Sequence, residues 1–327
     1  MHMSDALLSP AVGASFWSAT AGAIAYSSHK LRKEMDERML PLMGVMGAFV
    51  FASQMVNFSI PGTGSSGHLG GGLLLAVLLG PYAGFLAIAA VLMVQALFFA
   101  DGGVLALGAN IWNLGVFPCF IAYPLIYRPL AGGAPGAARR AVALVIAAIA
   151  GLQMGAFSVV VQTYLSGRSE LPFGSFVLVM QPVHLAIGLV EGIVTAGVVG
   201  FIMRERPEIM NQMNGPATAG AWSARLIGAL AIAALLIGGA SAWVASENPD
   251  GLEWSMEKVA GSAELAPGKS ALHRLSASVQ EALSFMPDYQ LKDSPEQGAS
   301  SLPGIVGSLI VLAAAFGLGL AIRRRGR

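Results

Sequence analysis

The first three residues, Met1-His2-Met3, bring together groups that can chelate a metal ion. A free α-amine on Met1, the backbone nitrogen of His2 and the His2 imidazole close one five-membered and one six-membered ring when they bind the same ion. One further imidazole would complete a square-planar set of four nitrogens, which suits Ni(II) or Cu(II) and accepts Co(II). Because the first 30 residues lack the basic start and short apolar core of a secretory signal, we expect the mature chain to begin at Met1.

The candidate for the fourth nitrogen is His68, which lies in a glycine-rich stretch from Gly62 to Gly72. Glycine lets two backbones approach each other closely, as an N-terminus folded into the molecule requires. The predicted metal ligands are therefore Met1, His2 and His68.

Two ionisable residues, His184 and Glu191, lie seven positions apart in an apolar run, which puts them two turns along one helix face. A charge inside a membrane is costly and is a functional candidate by default. We expect Glu191 to pair with His184 or a neighbouring helix, and a relay of metal or protons is the alternative.

Four polar residues complete the set expected around the site or along its path: Asn57, Ser66, Asp101 and Asn110. Asp101 precedes two glycines, so a helix-capping or turn role is expected for it. The chain lacks a His-Glu-x-x-His helix, a Gly-x-Ser-x-Gly elbow and a Walker phosphate loop. Any energy from ATP must therefore come from another subunit.

Composition places the chain in a lipid bilayer. Hydrophobic residues make up 55% of the 327 positions and charged residues only 11%, against roughly 25% charged in soluble domains. Apolar runs near membrane-spanning length, about 20 residues, predict nine spans, at 11–29, 41–57, 69–80, 83–100, 105–127, 141–163, 182–203, 226–245 and 303–322. The run at 69–80 is too short to cross and is broken by Gly80-Pro81, so we expect either an incomplete span or a preceding segment, 60–68, that dips into the bundle.

Charge sets the expected topology, because loops on the cytoplasmic side collect Lys and Arg. With the N-terminus outside, 14 of the 19 basic residues fall on the inner side: Lys30, Arg32, Lys33, Arg38, Arg128, Arg139, Arg140, Arg204, Arg206, Arg225, Arg323, Arg324, Arg325 and Arg327. The remaining five, Arg168, Lys258, Lys269, Arg274 and Lys292, fall outside. We expect a multi-pass protein of a prokaryotic plasma (inner) membrane with its C-terminus in the cytoplasm.

The predicted fold is an all-α integral membrane protein, a seven-helix bundle followed by a two-helix C-terminal module. Residues 1–204 form the bundle, 205–223 a cytoplasmic linker, and 224–327 the module with an outer segment at 246–302. Within that segment, Leu252 to Ala260 is predicted to form an amphipathic helix that lies on the membrane or on the bundle.

Several separated motifs, in order, resemble the CbiM/NikM family, the substrate-binding components of energy-coupling-factor (ECF) ABC importers for cobalt and nickel. They are Met1 to Pro10, Gly62 to Gly72, Gln95 to Gly103 with Gly108-Ala109-Asn110, and Gly188 to Gly192. The run Pro249-Asp250-Gly251-Leu252-Glu253 is similar to the signature of the small companion subunit, CbiN or NikN.

The resemblance implies a non-enzymatic transport component with no cofactor, whose substrate, Ni(II) or Co(II), is bound by the Met1 amine, the two His2 nitrogens and His68. It also implies partners: a CbiQ/NikQ-like transmembrane coupling subunit and two CbiO/NikO-like cytoplasmic ATPase subunits. No nucleic-acid partner is expected.

Nickel is favoured, because four planar nitrogens suit a d8 ion and because fusion to the companion is more typical of the nickel branch. The alternatives are a proton-coupled secondary transporter, in which Glu191 would carry protons, and a membrane metalloenzyme, which would need an open coordination position and a general base.

Overall fold

A computed structural model describes residues 1–34, 39–133, 136–205, 224–291 and 301–324. The helices in these ranges are α1 (Pro10–Glu34), α2 (Met39–Gln54), α3 (Gly72–Leu79), α4 (Pro81–Phe98), α5 (Leu107–Ala131), α6 (Ala137–Leu165), α7 (Phe173–Glu205), α8 (Ala224–Val244), α9 (Gly251–Ala260), α10 (Ala271–Leu283) and α11 (Leu302–Arg324). Strands β1 (Phe58–Ile60) and β2 (Ser65–Gly67) form an antiparallel hairpin, and single 3₁₀ turns occur at Asp5–Leu7 and Pro287–Tyr289.

The all-α membrane architecture is confirmed, with the small hairpin as an addition. In the described ranges, five helices are long and apolar enough to cross a membrane: α4, α5, α6, α7 and α11. Two more apolar helices are shorter, at Met39–Gln54 and Ala224–Ala240. The division into seven plus two spans is therefore not confirmed by helix length.

The third predicted span is a short helix that is preceded by a buried segment of the chain. α3 has 8 residues, all of them buried, which corresponds to about 12 Å at 1.5 Å per residue. Pro81 begins α4, because proline lacks the N–H that a continuing helix would need. Before α3, Ser65, Ser66 and Gly67 of β2 are also buried. The chain from β2 to α3 thus enters the bundle without crossing it.

The C-terminal helices pack on the first bundle through α2, which contacts α4 of that bundle as well as α8 and α11. Close approach is possible at Gly44, where a Cβ would lie 2.9 Å from the Leu312 carbonyl oxygen. As a result almost every residue of α2 is buried. The C-terminal helices are therefore part of the same packed body as the first bundle.

α5 departs from regular α-helical geometry. Its middle, Trp112–Tyr127, winds as a π-helix and contains Pro118 and Pro124. Proline removes a backbone donor and collides with the preceding turn, so the wider winding accommodates both rings. Such stretches are frequent beside functional sites, and Asn110 and Asn113 lie at the start of this one.

Some predicted features lie outside the described residues: the linker from residue 206 to 223, residues 292–300 of the outer segment, and the basic residues Arg38, Arg206, Lys292, Arg325 and Arg327.

Candidate metal centre

The N-terminus is folded into the bundle. Met1 is 5% exposed and Met3 is fully buried. Asn110 holds the backbone of Met3 from both sides, since Met3 N donates to its Oδ1 (2.9 Å) and its Nδ2 donates to Met3 O (3.1 Å). Gly103 N also donates to Met3 O (2.9 Å). These three bonds fix the position of the first residues, as a chelating N-terminus requires.

The loop after α4 lets the N-terminus pass close to it. Gly102 has φ +83°, and a Cβ there would lie 2.8 Å from Asn110 Nδ2. A Cβ on Gly103 would overlap the Asp5 carboxylate, which accepts a hydrogen bond from Ala106 N at 2.9 Å and another from Ser276. The glycine pair therefore makes room for residues 2 to 5.

His68 directs one nitrogen at the N-terminus. Its Nδ1 lies 3.0 Å from the carbonyl oxygen of Leu69, which cannot donate, so Nδ1 carries the proton. The Nε2 lone pair then faces the Met1 amine, at 3.3 Å. Neighbouring nitrogens of a square-planar site lie roughly 2.8 Å apart when metal–nitrogen bonds are about 2 Å. The observed pair needs only a small contraction to share an ion.

The tautomer of His2 is set by a chain of amides. Gln54 Nε2 donates to Gly70 O and Gln95 Nε2 donates to Gln54 Oε1, both at 2.8 Å. Gln95 Oε1 is therefore an acceptor, and it lies 3.1 Å from His2 Nε2, which carries the hydrogen. This leaves the lone pair on His2 Nδ1, the nitrogen that the predicted six-membered chelate ring uses. The His2 and His68 rings stack at 4.9 Å.

Both imidazoles are held neutral. Burial, followed by the nearby Met1 ammonium, lowers the pKa of His2 and of His68 to about 3. A metal can bind only a neutral imidazole, so neither ring has to lose a proton at neutral pH.

A carboxylate from the C-terminal module joins this cluster. Asp250 Oδ2 lies 3.2 Å from the Met1 amine and 3.9 Å from His68 Nε2. Burial alone would raise the pKa of Asp250, but the Met1 ammonium holds it below its usual range. Its Oδ1 caps α9 by accepting from Leu252 N (2.7 Å) and Glu253 N (2.8 Å). Asp250 is thus fixed by its own helix and faces the N-terminus.

The segment around Asp250 is bonded to the loop that carries His68. Ser66 N donates to Pro249 O and Ser66 Oγ to Asn248 O, both at 2.8 Å. Two residues before Asn248, Ser246 N donates to Asn57 O at 2.8 Å. α9 packs on α7 and β2, which confirms the predicted helix and selects the bundle as the surface it lies on.

The expected capping role of Asp101 is not what the structure shows. One carboxylate oxygen accepts from Tyr289 Oη at 2.5 Å, and the other lies 3.4 Å from His2 Nδ1. The first helix after it, α5, begins six residues later. Asp101 therefore places negative charge beside the N-terminal nitrogens.

Glu191 and His184 have separate partners, so His184, one of the two partners expected for Glu191, does not bond it. The Glu191 carboxylate accepts from Gly70 N and Gly71 N, each at 3.0 Å, just before α3 begins. His184 Nδ1 lies 2.8 Å from Met180 O, one turn back on α7. Glu191 thus bonds the segment that leads into α3, where a bond to a neighbouring helix was the other expectation.

Among the described residues, no three His, Cys, Asp or Glu side chains are grouped closely enough to hold a metal ion. The described side chains that cluster here are His2, His68, Asp101 and Asp250, and the Met1 amine lies among them.

Comparison with known proteins shows the family to which the chain belongs. Residues 2–209 match the CbiM model, described as the cobalt uptake substrate-specific transmembrane region, and residues 224–324 match the PDGLE domain. The chain belongs to the CbiM family. As a family member it is a multi-pass membrane component of cobalt and nickel transport.

Among relatives of this CbiM-family protein, a putative fused nickel transport protein NikMN of Archaeoglobus fulgidus is 34% identical over 327 residues, 100% of this chain and 99% of that protein. The cobalt transport protein CbiM of Sorangium cellulosum is 31% identical over 216 residues, 65% of this chain and 96% of its own length. A solved structure of a truncated transition metal transporter superposes with a TM-score of 0.56 at 29% identity, covering 63% of this chain and 99% of that one.

The sequence analysis gave no role to three residues that contact the candidate site: Gln95, Asp250 and Tyr289. Gln95 and Asp250 stand inside motifs that the sequence singles out. One feature of the sequence could have identified Asp250: it is an acidic residue in a motif of the outer segment, on the same predicted side of the membrane as Met1.

Proposed function

We propose that this protein is the substrate-specific membrane component of an ECF-type ABC importer. It captures Ni(II) or Co(II) on the outer face of a prokaryotic plasma membrane and passes the ion inward with ATP-driven partner subunits. The metal is substrate rather than cofactor. The ligands are the Met1 amine, the His2 backbone nitrogen, His2 Nδ1 and His68 Nε2.

The observation that carries the proposal is the orientation of the two imidazoles. Hydrogen bonds from outside the metal centre fix both tautomers, through Leu69 O for His68 and Gln95 Oε1 for His2. Each bond leaves free the nitrogen that the four-nitrogen set needs, and such outer bonds orient metal ligands in proteins.

Nickel is the favoured ion. A planar set of four nitrogens suits a d8 ion, and the relative that aligns with the full chain is named a nickel transport protein. Asp250 lies 3.2 Å from the Met1 amine and Asp101 lies 3.4 Å from His2 Nδ1, and these carboxylates compensate the charge of either divalent ion.

Residues 1–204 form the metal-binding domain in this proposal, and 224–327 form a companion module that acts on it. Support comes from the outer segment, which bonds the His68 loop through Ser66 and reaches the amine through Asp250. Because the chain itself has no phosphate-binding loop, a CbiQ/NikQ-like coupling subunit and two CbiO/NikO-like ATPases supply the energy.

A proton-coupled transporter is the less supported alternative. It would need Glu191 to exchange a proton during the cycle, whereas both of its oxygens accept backbone N–H bonds. A requirement for ATP hydrolysis during uptake distinguishes the two mechanisms.

The test is a single residue added before Met1. The amine then moves out of chelating range, so we expect purified protein to lose high-affinity Ni(II) binding in a competition titration. A matched control adds one residue after Arg327, which leaves the N-terminus intact. Retained nanomolar-range affinity in the N-terminally extended protein would rule out the proposed site.

A further inference from the structure

A small cavity lies against Met1. Its volume is about 10 Å³, room for a single water-sized occupant. His68 and Asp250 form one wall, and Leu114, Leu152 and His184 of α5, α6 and α7 form another. The cavity is therefore on the side of the metal centre that faces the membrane-spanning helices.

A much wider cleft lies on the other side of the same two residues. It has a volume of about 1510 Å³ and is lined by the outer segment and the N-terminal residues. His68 and Asp250 line both spaces. These two side chains consequently separate the outer cleft from the inner cavity.

The inner cavity presents a nitrogen with no hydrogen-bond partner. His184 is 1% exposed, and its Nε2 has no partner among the residues that the structure describes. Its Nδ1 is bonded to Met180 O, so Nε2 carries the lone pair. A Cβ placed on Gly251 would lie 3.2 Å from His184 Cε1, so the ring lies against the backbone next to Asp250. A buried polar atom left unpaired is costly and calls for a ligand.

We propose that this cavity is a second, transient cation position, in which His184 Nε2 and the Asp250 carboxylate hold the metal after it leaves the four-nitrogen centre. The inference rests on the proposed function. Imidazole and carboxylate are both ligands for divalent transition metals, and two protein ligands bind more weakly than a planar chelate. The position therefore suits transfer rather than storage.

The arrangement also gives the transfer a direction. Gly70 lines the cavity, and its N–H is bonded to Glu191, two turns further along α7 than His184. An ion that exchanges His68 Nε2 for His184 Nε2 has moved from a residue of the outer loop to a residue of a spanning helix. Asp250 accompanies it, because the carboxylate already faces both spaces.

The test uses His184→Asn, whose amide nitrogen can keep the hydrogen bond to Met180 O while the Nε2 ligand is lost. The background is the full chain with His2→Ala, in which the chelate is broken and only weak binding remains. There we expect the residual Co(II) affinity, measured by titration of purified protein, to fall at least tenfold, roughly 1.4 kcal/mol or more, when His184→Asn or Asp250→Asn is added. In the complete transporter, His184→Asn alone should slow Ni(II) uptake several-fold.

His29→Asn is the control, because His29 is exposed near the far end of α1. Unchanged residual affinity on adding His184→Asn, or no residual Co(II) binding in the His2→Ala chain, overturns the second position. Full native affinity in the His2→Ala chain would instead contradict the proposed function, so the two failures can be told apart.

Discussion

At the scale of single residues, the proposed metal centre depends on which nitrogen each histidine presents. The hydrogen bond from His68 Nδ1 to Leu69 O turns the Nε2 lone pair toward the Met1 amine. His29 has the same side chain but is exposed on α1. Position and tautomer, rather than residue type, therefore separate a ligand from a surface imidazole.

We expect His68→Ala to weaken Ni(II) binding and His29→Ala to leave it unchanged. Loss of the fourth nitrogen removes one of the four metal–nitrogen bonds. We expect Ni(II) affinity to fall by about 10- to 100-fold or more, because mutation of a residue that only hydrogen-bonds a metal ligand already lowers metal affinity by that much. Competition titration of the two purified variants measures the difference. Equal losses in both would contradict the assignment of the site.

The sequence predicts the ligands at residues 1 and 2 because chelate chemistry is local. The amine, backbone nitrogen and imidazole of residues 1 and 2 are linked by short covalent paths, and their joint use needs no tertiary information. The acceptor role of Gln95 follows instead from Gln54 and Gly70, residues far away in sequence. Asp250 likewise reaches Met1 across 249 positions. A pattern of residue types does not encode such contacts.

At the scale of elements, the short helix α3 needs an anchor for the backbone that precedes it. The Gly80-Pro81 break predicted that this span is incomplete, and the all-buried α3 agrees. The sequence did not predict the hairpin of β1 and β2, because its strands have only three residues each and their pairing depends on the surrounding loops. Polar backbone groups at membrane depth must find hydrogen-bond partners within the protein. The two oxygens of the Glu191 carboxylate are the acceptors for the N–H groups of Gly70 and Gly71.

Replacing Glu191 with Leu should therefore destabilise the fold. Two buried N–H groups, of Gly70 and Gly71, would lose their acceptor, at about 1–3 kcal/mol each. We expect a lower thermal unfolding midpoint in metal-free protein and weaker Ni(II) binding, because Gly70 O also anchors the Gln54 amide. Leu189→Ala on the exposed side of α7 is the control. A native midpoint combined with lost uptake would indicate a relay role instead.

At the scale of the whole molecule, the C-terminal module contacts the first bundle in two places. In the membrane, α8 and α11 cover α2. Outside it, the segment from Ser246 to Asp250 bonds the loop of His68 and ends at the N-terminal amine. The apolar runs predicted the helices of this module and the positive-inside rule predicted its orientation, but the contact with the metal centre required the folded chain.

The two contacts have different energetic consequences when the module is removed. Lipid is as apolar as the helix faces that α8 and α11 would leave exposed, so within the bilayer their loss costs packing rather than burial from water. The four proposed ligand nitrogens all belong to the first bundle, and the hydrogen bonds that orient the two imidazoles, to Leu69 and Gln95, also lie there. Folding and metal binding should therefore survive without residues 224–327.

Transport should not survive to the same extent. A chain truncated to residues 1–223 loses Asp250, which faces the Met1 amine, and the segment that bonds the His68 loop through Ser66. We expect this chain to retain Ni(II) binding in purified form but to show sharply reduced uptake in the complete transporter, because nothing then acts on the residues that enclose the ion. Uptake is measured at matched membrane levels, with Asp250→Asn in the full chain as a companion variant.

Co-expression of residues 224–327 as a separate polypeptide should restore part of the uptake. Normal uptake by the truncated chain, with no separately encoded companion present, would show that the module is dispensable.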